Sequence, residues 1–386
     1  MSELRSRRPA GSPATPARGH DAARPPAGAA PVPGHVASVP AGARCGRRAD
    51  RPAAGGSRAF TFAAHRRRYW LVMVALALAG ALFCAGILTW ANPLPFGTAG
   101  FWRIAGTRAS AVVVIAVVAV CQAMATVAFQ TAAENRIVTP SIMGFESLYV
   151  LVQTTAVYAL GVAGVSAVQG LTQYALQVAL MVLFALVLYG RLLSGKHANV
   201  QVMLLIGIVL GGGLGSLSTF MQRLLSPSEF DVLSARLFGS VSNADPAYFP
   251  LAVPLCAAGT AALLLRSRKL DVMAAGRDVA TNLGLEHRRE LVITLFWVSV
   301  LMAVSTSLVG PMTFLGFLVA TLAYQFADTH EHRFVFPMAV LLGFAVLSGA
   351  YFILKNVFYA EGAVSIIIEL VGGTVFLVVI LRKGRL

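Results

Sequence analysis

The chain has 386 residues, of which 57% are hydrophobic and only 12% charged, whereas a soluble domain carries about 25% charged residues. With a mean hydropathy of +0.73, this composition excludes an ordinary water-soluble protein and predicts an all-α polytopic membrane protein. The formal charge of +15 would indicate nucleic acid only if it lay on one soluble face, so its location decides its meaning. The cysteines, Cys45, Cys84, Cys121 and Cys256, are scattered, and three sit in apolar runs where a thiol behaves as a small hydrophobe. They form neither a disulfide framework nor a CxxC metal motif.

Residues 1–66 read as a Pro/Ala/Gly/Arg-rich tail, as in Pro9-Ala-Gly-Ser-Pro-Ala-Thr-Pro16. Up to Arg58 there is no aromatic residue and almost no large aliphatic. Such a segment cannot bury enough apolar surface to offset the entropy of ordering, so it is expected to be disordered. An Arg-rich organellar leader or an extended translation start are the other readings. Residues 67–386 are expected to form a single membrane domain. Its apolar stretches match the roughly 20 residues a helix needs to cross a ~30 Å hydrocarbon core. Ten are read, at 69–90, 110–131, 142–161, 171–188, 200–221, 246–265, 291–309, 312–326, 334–354 and 363–381. Spans seven and eight are separated only by Gly310-Pro311, a sound break because Pro cannot continue a helix ladder.

Ten spans place both termini on one side, and Lys and Arg in short loops choose which side. With the N-terminus inside, sixteen basic residues from Arg66 onward face the cytoplasm and five face outward: Arg103, Arg108, Arg223, Arg236 and Lys355. Both termini are therefore expected to be cytoplasmic. The largest cytoplasmic loop is then 266–290, and 223–245 is a large external one.

Several chemical signatures fail on inspection. Gly190-Arg-Leu-Leu-Ser-Gly-Lys-His197 nearly spells a phosphate-binding loop, but His197 stands where a hydroxyl should hold Mg²⁺, and the segment follows a membrane helix instead of a strand. His330-Glu-His332 lacks the four-residue separation of HExxH and reads as a solvated loop. The histidines at 20, 35, 65, 197, 287, 330 and 332 all fall outside the spans. Intramembrane haem or zinc ligation thus has almost no candidate ligands, and a membrane serine protease has no buried base. No metal site is expected in this chain.

Three features are positive. Gly207, Gly211 and Gly215, with Gly212 and Gly213 beside them, give the fifth span a bare face that allows close helix approach, within the chain or at a moving or dimer interface. Glu146 and Glu369 lie at membrane depth, where carboxylates face the bundle interior or a water-filled path. In the 266–290 loop, Val272, Val279, Ala280 and Leu283 recur at near-helical spacing, Gly276 breaks a first turn, and Gly284 suits a helix C-cap. A short amphipathic helix there would dock a soluble partner or lie on the bilayer surface.

Four segments share a pattern. Ala280 to Gly284, preceded by Gly276, carries Ala-x-x-Leu-Gly; Gln130 to Gly144 places Asn135, Pro140 and Gly144; Leu237-Phe-Gly-Ser240 contains Gly239; and Gly310-Pro-Met-Thr-Phe-Leu-Gly316 closes the set. In order and topology the chain resembles the permeases of bacterial ABC importers for iron chelates and cobalamin, over nearly everything after residue 66. Where that family often has Pro-His-x-x-Arg, this chain has Ala320-Thr-Leu-Ala-Tyr-Gln325, which is more similar to the ferric-siderophore branch with two different permease chains.

The resemblance implies a cobalamin-importer-permease-like fold and uptake of a ferric siderophore across the bacterial inner membrane. It implies that no cofactor is bound by this chain, with ATP and Mg used by a cytoplasmic ABC ATPase dimer. The other implied partners are a second permease, as a heterodimer or else a homodimer, a periplasmic or lipoprotein siderophore-binding protein, and membrane lipid, with no nucleic acid. Gly276, Val279, Ala280, Leu283 and Gly284 would meet the ATPase. Asn135, Pro140, Gly144, Glu146, Gly239, Ser240, Gly310, Pro311, Gly316 and Glu369 would be motif or pathway positions. Cobalamin or haem is the alternative substrate within the family. A secondary transporter should show paired interrupted helices at midplane, and no convincing pair is read.

Overall fold

The computed structural model describes residues 63–90, 92–167, 170–193, 200–358 and 364–383; all but the end of the tail read from sequence, and the Ser194 to His197 half of the Gly190 to His197 segment, lie outside them. Among the described residues every regular element is helical. The α-helices are α1 Ala63–Thr89, α2 Ala99–Ala132, α3 Phe145–Ala167, α4 Leu171–Leu193, α5 Val200–Gln222, α6 Pro227–Leu237, α7 Phe249–Leu265, α8 Ser267–Met273, α9 Arg277–Asn282, α10 His287–Val309, α11 Thr313–Ala327, α12 His332–Asn356 and α13 Val364–Lys383. Eight are long and apolar enough to cross a bilayer, and two shorter apolar helices, Thr313–Ala327 and Val364–Val378, stand at the eighth and tenth expected spans.

The helices sort by how much of their surface the protein covers. In α2 and α10, 78% of the most apolar stretch is buried, against 11% in α1. α2 packs against both α10 and α12, α10 also contacts α4 and α7, α3 lies along α5, and α11 bridges α12 and α13. The central pair is apolar all round because it is enclosed by protein. Outer helices such as α1 and α5 keep exposed Leu and Val, including Leu78, Leu82, Leu205 and Val209, as helices facing lipid do.

Several boundaries differ from the sequence reading, and at α2, α3 and the 223–245 loop the reason is local. α2 begins at Ala99 instead of residue 110. Arg103 and Arg108 lower the hydropathy of its first turns, but Thr98 accepts the Phe101 N–H as an N-cap, and Phe101 packs edge-on against Phe96 and Trp102. α3 starts at Phe145 because Pro140–Met143 forms a 3-10 turn and Gly144 takes φ +91°, a left-handed conformation that suits glycine. The 223–245 loop contains α6, opened by Pro227 and a capping box between Ser226 and Glu229. The Gly310-Pro311 break falls where expected: α10 ends at Val309, Gly310 has φ +90°, and α11 starts at Thr313.

Candidate functional site

The 266–290 segment folds as two short helices, correcting the single amphipathic helix expected. Gly276, at φ +95°, ψ 161°, separates α8 from α9 and serves as the N-cap of α9. At the other end Gly284 (φ +82°) closes a Schellman turn, its N–H bonding Thr281 O at 2.9 Å while the Leu285 N–H reaches Ala280 O at 3.0 Å. The backbone thus turns twice within a few residues and fixes which side chains point out. Ala280 is fully buried, whereas Val279 is 47% and Leu283 68% exposed.

Polar anchors on two flanks tie this segment to the bundle. At the start of α10, Glu290 accepts hydrogen bonds from Arg266 and, at 2.7 Å, from Lys269. On the other flank Asp271 of α8 accepts from the backbone N–H of His332 at 2.8 Å and faces its Nδ1 at 2.6 Å. The Nε2 of the same ring lies 2.7 Å from Thr131 Oγ1 at the end of α2. His332 is only 3% exposed and opens α12, a buried helix start in place of the solvated loop expected from sequence. Its partners lie 61 and 201 residues away, and local pattern carries no trace of them. Beside α8, Gln130, Glu134, Arg136, Tyr324 and His330 line a cavity of about 660 Å³.

A second constellation gathers the Gly-Ser and Gly-Pro motifs at one junction. Ser240 N–H bonds Val309 O at 2.9 Å, and Ser365 N–H bonds Gly239 O at 3.1 Å, so the chain around Gly239 is clamped between the end of α10 and the start of α13. A Cβ on Gly239 would come within 2.4 Å of Pro311 O. Gly310 passes 3.4 Å from the Gly239 Cα on the same measure. From the next residues Thr313 donates to Glu146 Oε2 at 2.6 Å, and Glu369 lies within electrostatic reach of Glu146. Glu146 is half-buried and Glu369 exposed on α13. Thr313 and Ser365 were not singled out from sequence, since neither type signals a role without its neighbours.

The remaining motif positions serve close packing. Asn135 accepts the Ile137 N–H through its side chain at 2.9 Å, and Pro140 opens the turn before Gly144. A Cβ on Gly144 would meet Gly211 Cα at 3.1 Å, and one on Gly211 would meet Gly144 Cα at 2.9 Å. The bare face of α5 is therefore used within the chain at Gly207 and Gly211, whereas Gly212 and Gly213 look onto open space. Gly316 admits Thr126 so tightly that a Cβ there would sit 2.1 Å from its Oγ1. A smaller chamber of about 210 Å³ adjoins Gly310, walled by Tyr149, Gln153, Tyr174, Gln177 and Tyr248. No three His, Cys, Asp or Glu side chains among the described residues gather closely enough to hold a metal ion.

Comparison with known proteins identifies relatives of the whole chain. The FecCD transport family matches residues 72–382. The petrobactin import system permease protein FatC of Bacillus anthracis is 47% identical over 328 residues, covering 85% of this chain and 93% of that protein. The petrobactin import system permease protein YclO of Bacillus subtilis (strain 168) is 34% identical over 313 residues, covering 81% and 98%. A solved structure described as an inward-facing ABC transporter of the metal-chelate type aligns with a TM-score of 0.67 at 18% identity, covering 81% of this chain and 99% of that one. That last likeness is one of fold.

Proposed function

The chain belongs to the FecCD transport family, and from that membership and the exposed, doubly anchored α8–α9 segment we propose that it is a permease subunit of a ferric-siderophore ABC importer in the bacterial cytoplasmic membrane. The observation that carries the coupling role is Val279 and Leu283 held outward on a hydrogen-bonded, capped turn. Exposed apolar side chains on a polar loop suit a protein partner, and here the partner is the ATPase dimer. ATP and Mg bind there. Closure of that dimer pushes on α9, and α8 passes the movement into the bundle as a rigid-body tilt.

Ten spans with both termini inside complete the topology, supported by the sixteen-to-five distribution of basic residues. Thirteen arginines and three acids up to Arg68 put +10 of the net charge in the tail and its junction, leaving +5 for the rest. A binding protein delivers the chelate to the outer face, and the path runs between this permease and a second, different one. The junction of Gly239, Ser240, Gly310 and Pro311, with Glu146 and Glu369 beside it, is the stretch of this chain best suited to line that path. Iron travels inside its chelator, so the chain needs no ligand cluster of its own.

Both relatives described above carry petrobactin in their descriptions, which makes ferric petrobactin the first substrate to try. The test is uptake of radiolabelled iron presented as ferric petrobactin, as other ferric chelates, and as haem, alongside labelled cobalamin. It uses proteoliposomes containing the complete importer, with and without ATP. ATP-dependent uptake of a ferric chelate is expected. Uptake that persists without the ATPase, or uptake of cobalamin alone, would overturn the proposal.

A further inference from the structure

We propose that His332 is a positioning residue for transport, passing the movement of α8 to α2 and α12; this rests on the importer reading above. Two flanks hold α8. Glu290 receives Arg266 and Lys269 and so links α8 to α10. On the opposite flank the space beside α8 is the cavity of about 660 Å³, and His332 spans its edge. Asp271 Oδ1 takes the His332 backbone N–H, one of the orphan donors at the start of α12, and meets the ring through Nδ1. The far side of the ring meets Thr131 Oγ1, whose hydroxyl donates to Val127 O at 3.0 Å within α2.

One rigid ring thus joins three helices: α8 through Nδ1, α2 through Nε2, and α12 through its own backbone. Imidazole suits the post because its two nitrogens point to opposite sides of a planar ring. Burial and the Phe336 ring, 5.4 Å away between centroids, hold its orientation. Leu270 and Met273 keep α8 packed on the bundle, so loss of the ring contacts leaves α8 and α9 in place but loosens what they drive. ATP hydrolysis and transport then come apart.

The experiment measures chelate moved per ATP hydrolysed by the complete importer in proteoliposomes. His332→Phe fills the ring's volume without its polar contacts. Hydrolysis should stay within about twofold of wild type, while chelate moved per ATP falls by about fivefold or more, the lower range of a coupling free energy between sites. Thr131→Val removes the ring's contact with α2 and leaves its contact with α8, and His332→Asn keeps a donor toward Asp271 but cannot reach α2; both should give an intermediate ratio. A simple packing role predicts no split between hydrolysis and transport. A wild-type ratio in H332F, or in both T131V and H332N should H332F fail to insert, would overturn the proposal. If the wild-type complex itself moved no chelate with ATP, the importer reading would be the one to fall.

Discussion

Leu283→Asp separates docking from folding. Leu283 is 68% exposed at the end of α9, so its side chain contributes little to the permease's own packing. Fully burying a leucine stabilises by about 1.5–3 kcal/mol, and covering the exposed two thirds against an ATPase is worth about 1–2 kcal/mol on the same scale. Leu283→Ala should therefore weaken ATPase binding by roughly 5- to 30-fold. Leu283→Asp should do more, since an unpaired carboxylate resists desolvation. The thermal midpoint of the isolated permease should barely move, because substitutions at exposed positions usually stay within about 0.5 kcal/mol. Ala280→Asp, at the fully buried neighbouring position, is the contrast and should destabilise the permease itself. The measurements are ATPase affinity for the permease in nanodiscs, iron-chelate uptake, and melting in detergent. Wild-type ATPase affinity in L283D, or a loss of permease stability matching that of A280D, would refute the docking role.

Three further outcomes follow from the packing. Gly316→Ala places a Cβ against Thr126 Oγ1 and Cβ, at 2.1 and 3.2 Å, so it should cost about 1–3 kcal/mol as overpacking; Thr126→Ala in the same chain should recover most of the loss in a double-mutant melting cycle. Gly211→Ala, directed at the Gly144 backbone, should cost stability by about the same amount, whereas Gly212→Ala and Gly213→Ala should leave melting unchanged; equal effects at all three would contradict the packing of α5 on the 140–143 turn. At the start of α6 the Ser226 N–H and hydroxyl, 2.9 and 2.8 Å away, hold the Glu229 carboxyl below the usual carboxylate range. Its capping contribution is thus present above the unfolded carboxylate value and disappears as pH falls through the lower folded value. Hydrogen exchange of α6 should accelerate in that acidic window in the wild type and not in Glu229→Gln.

The distribution of apolar residues alone determined that this is an all-helical membrane protein, because each apolar run must satisfy its backbone internally and only a helix does so within one segment. Breaks that depend on local chemistry were equally legible. Gly310-Pro311 ends α10 where it was read, and Gly284 closes α9, because glycine and proline act on their own backbone. The extra turns of α2 were hidden, since Arg103 and Arg108 lower the hydropathy of its first turns without breaking the helix. Gly144 offered a motif position but no sign that Gly211 would be its neighbour.

Only the tertiary structure decided which distant groups meet. Glu146 with Thr313, Gly239 with Pro311 and Ser365, and His332 with Asp271 and Thr131 are pairs whose sequence separations carry no periodicity to read. A histidine beside a glutamate in a short loop looks solvated until the fold brings a carboxylate and a hydroxyl to its two nitrogens. Propensity and hydropathy act through neighbours along the chain, whereas a buried polar contact depends on which helices pack together.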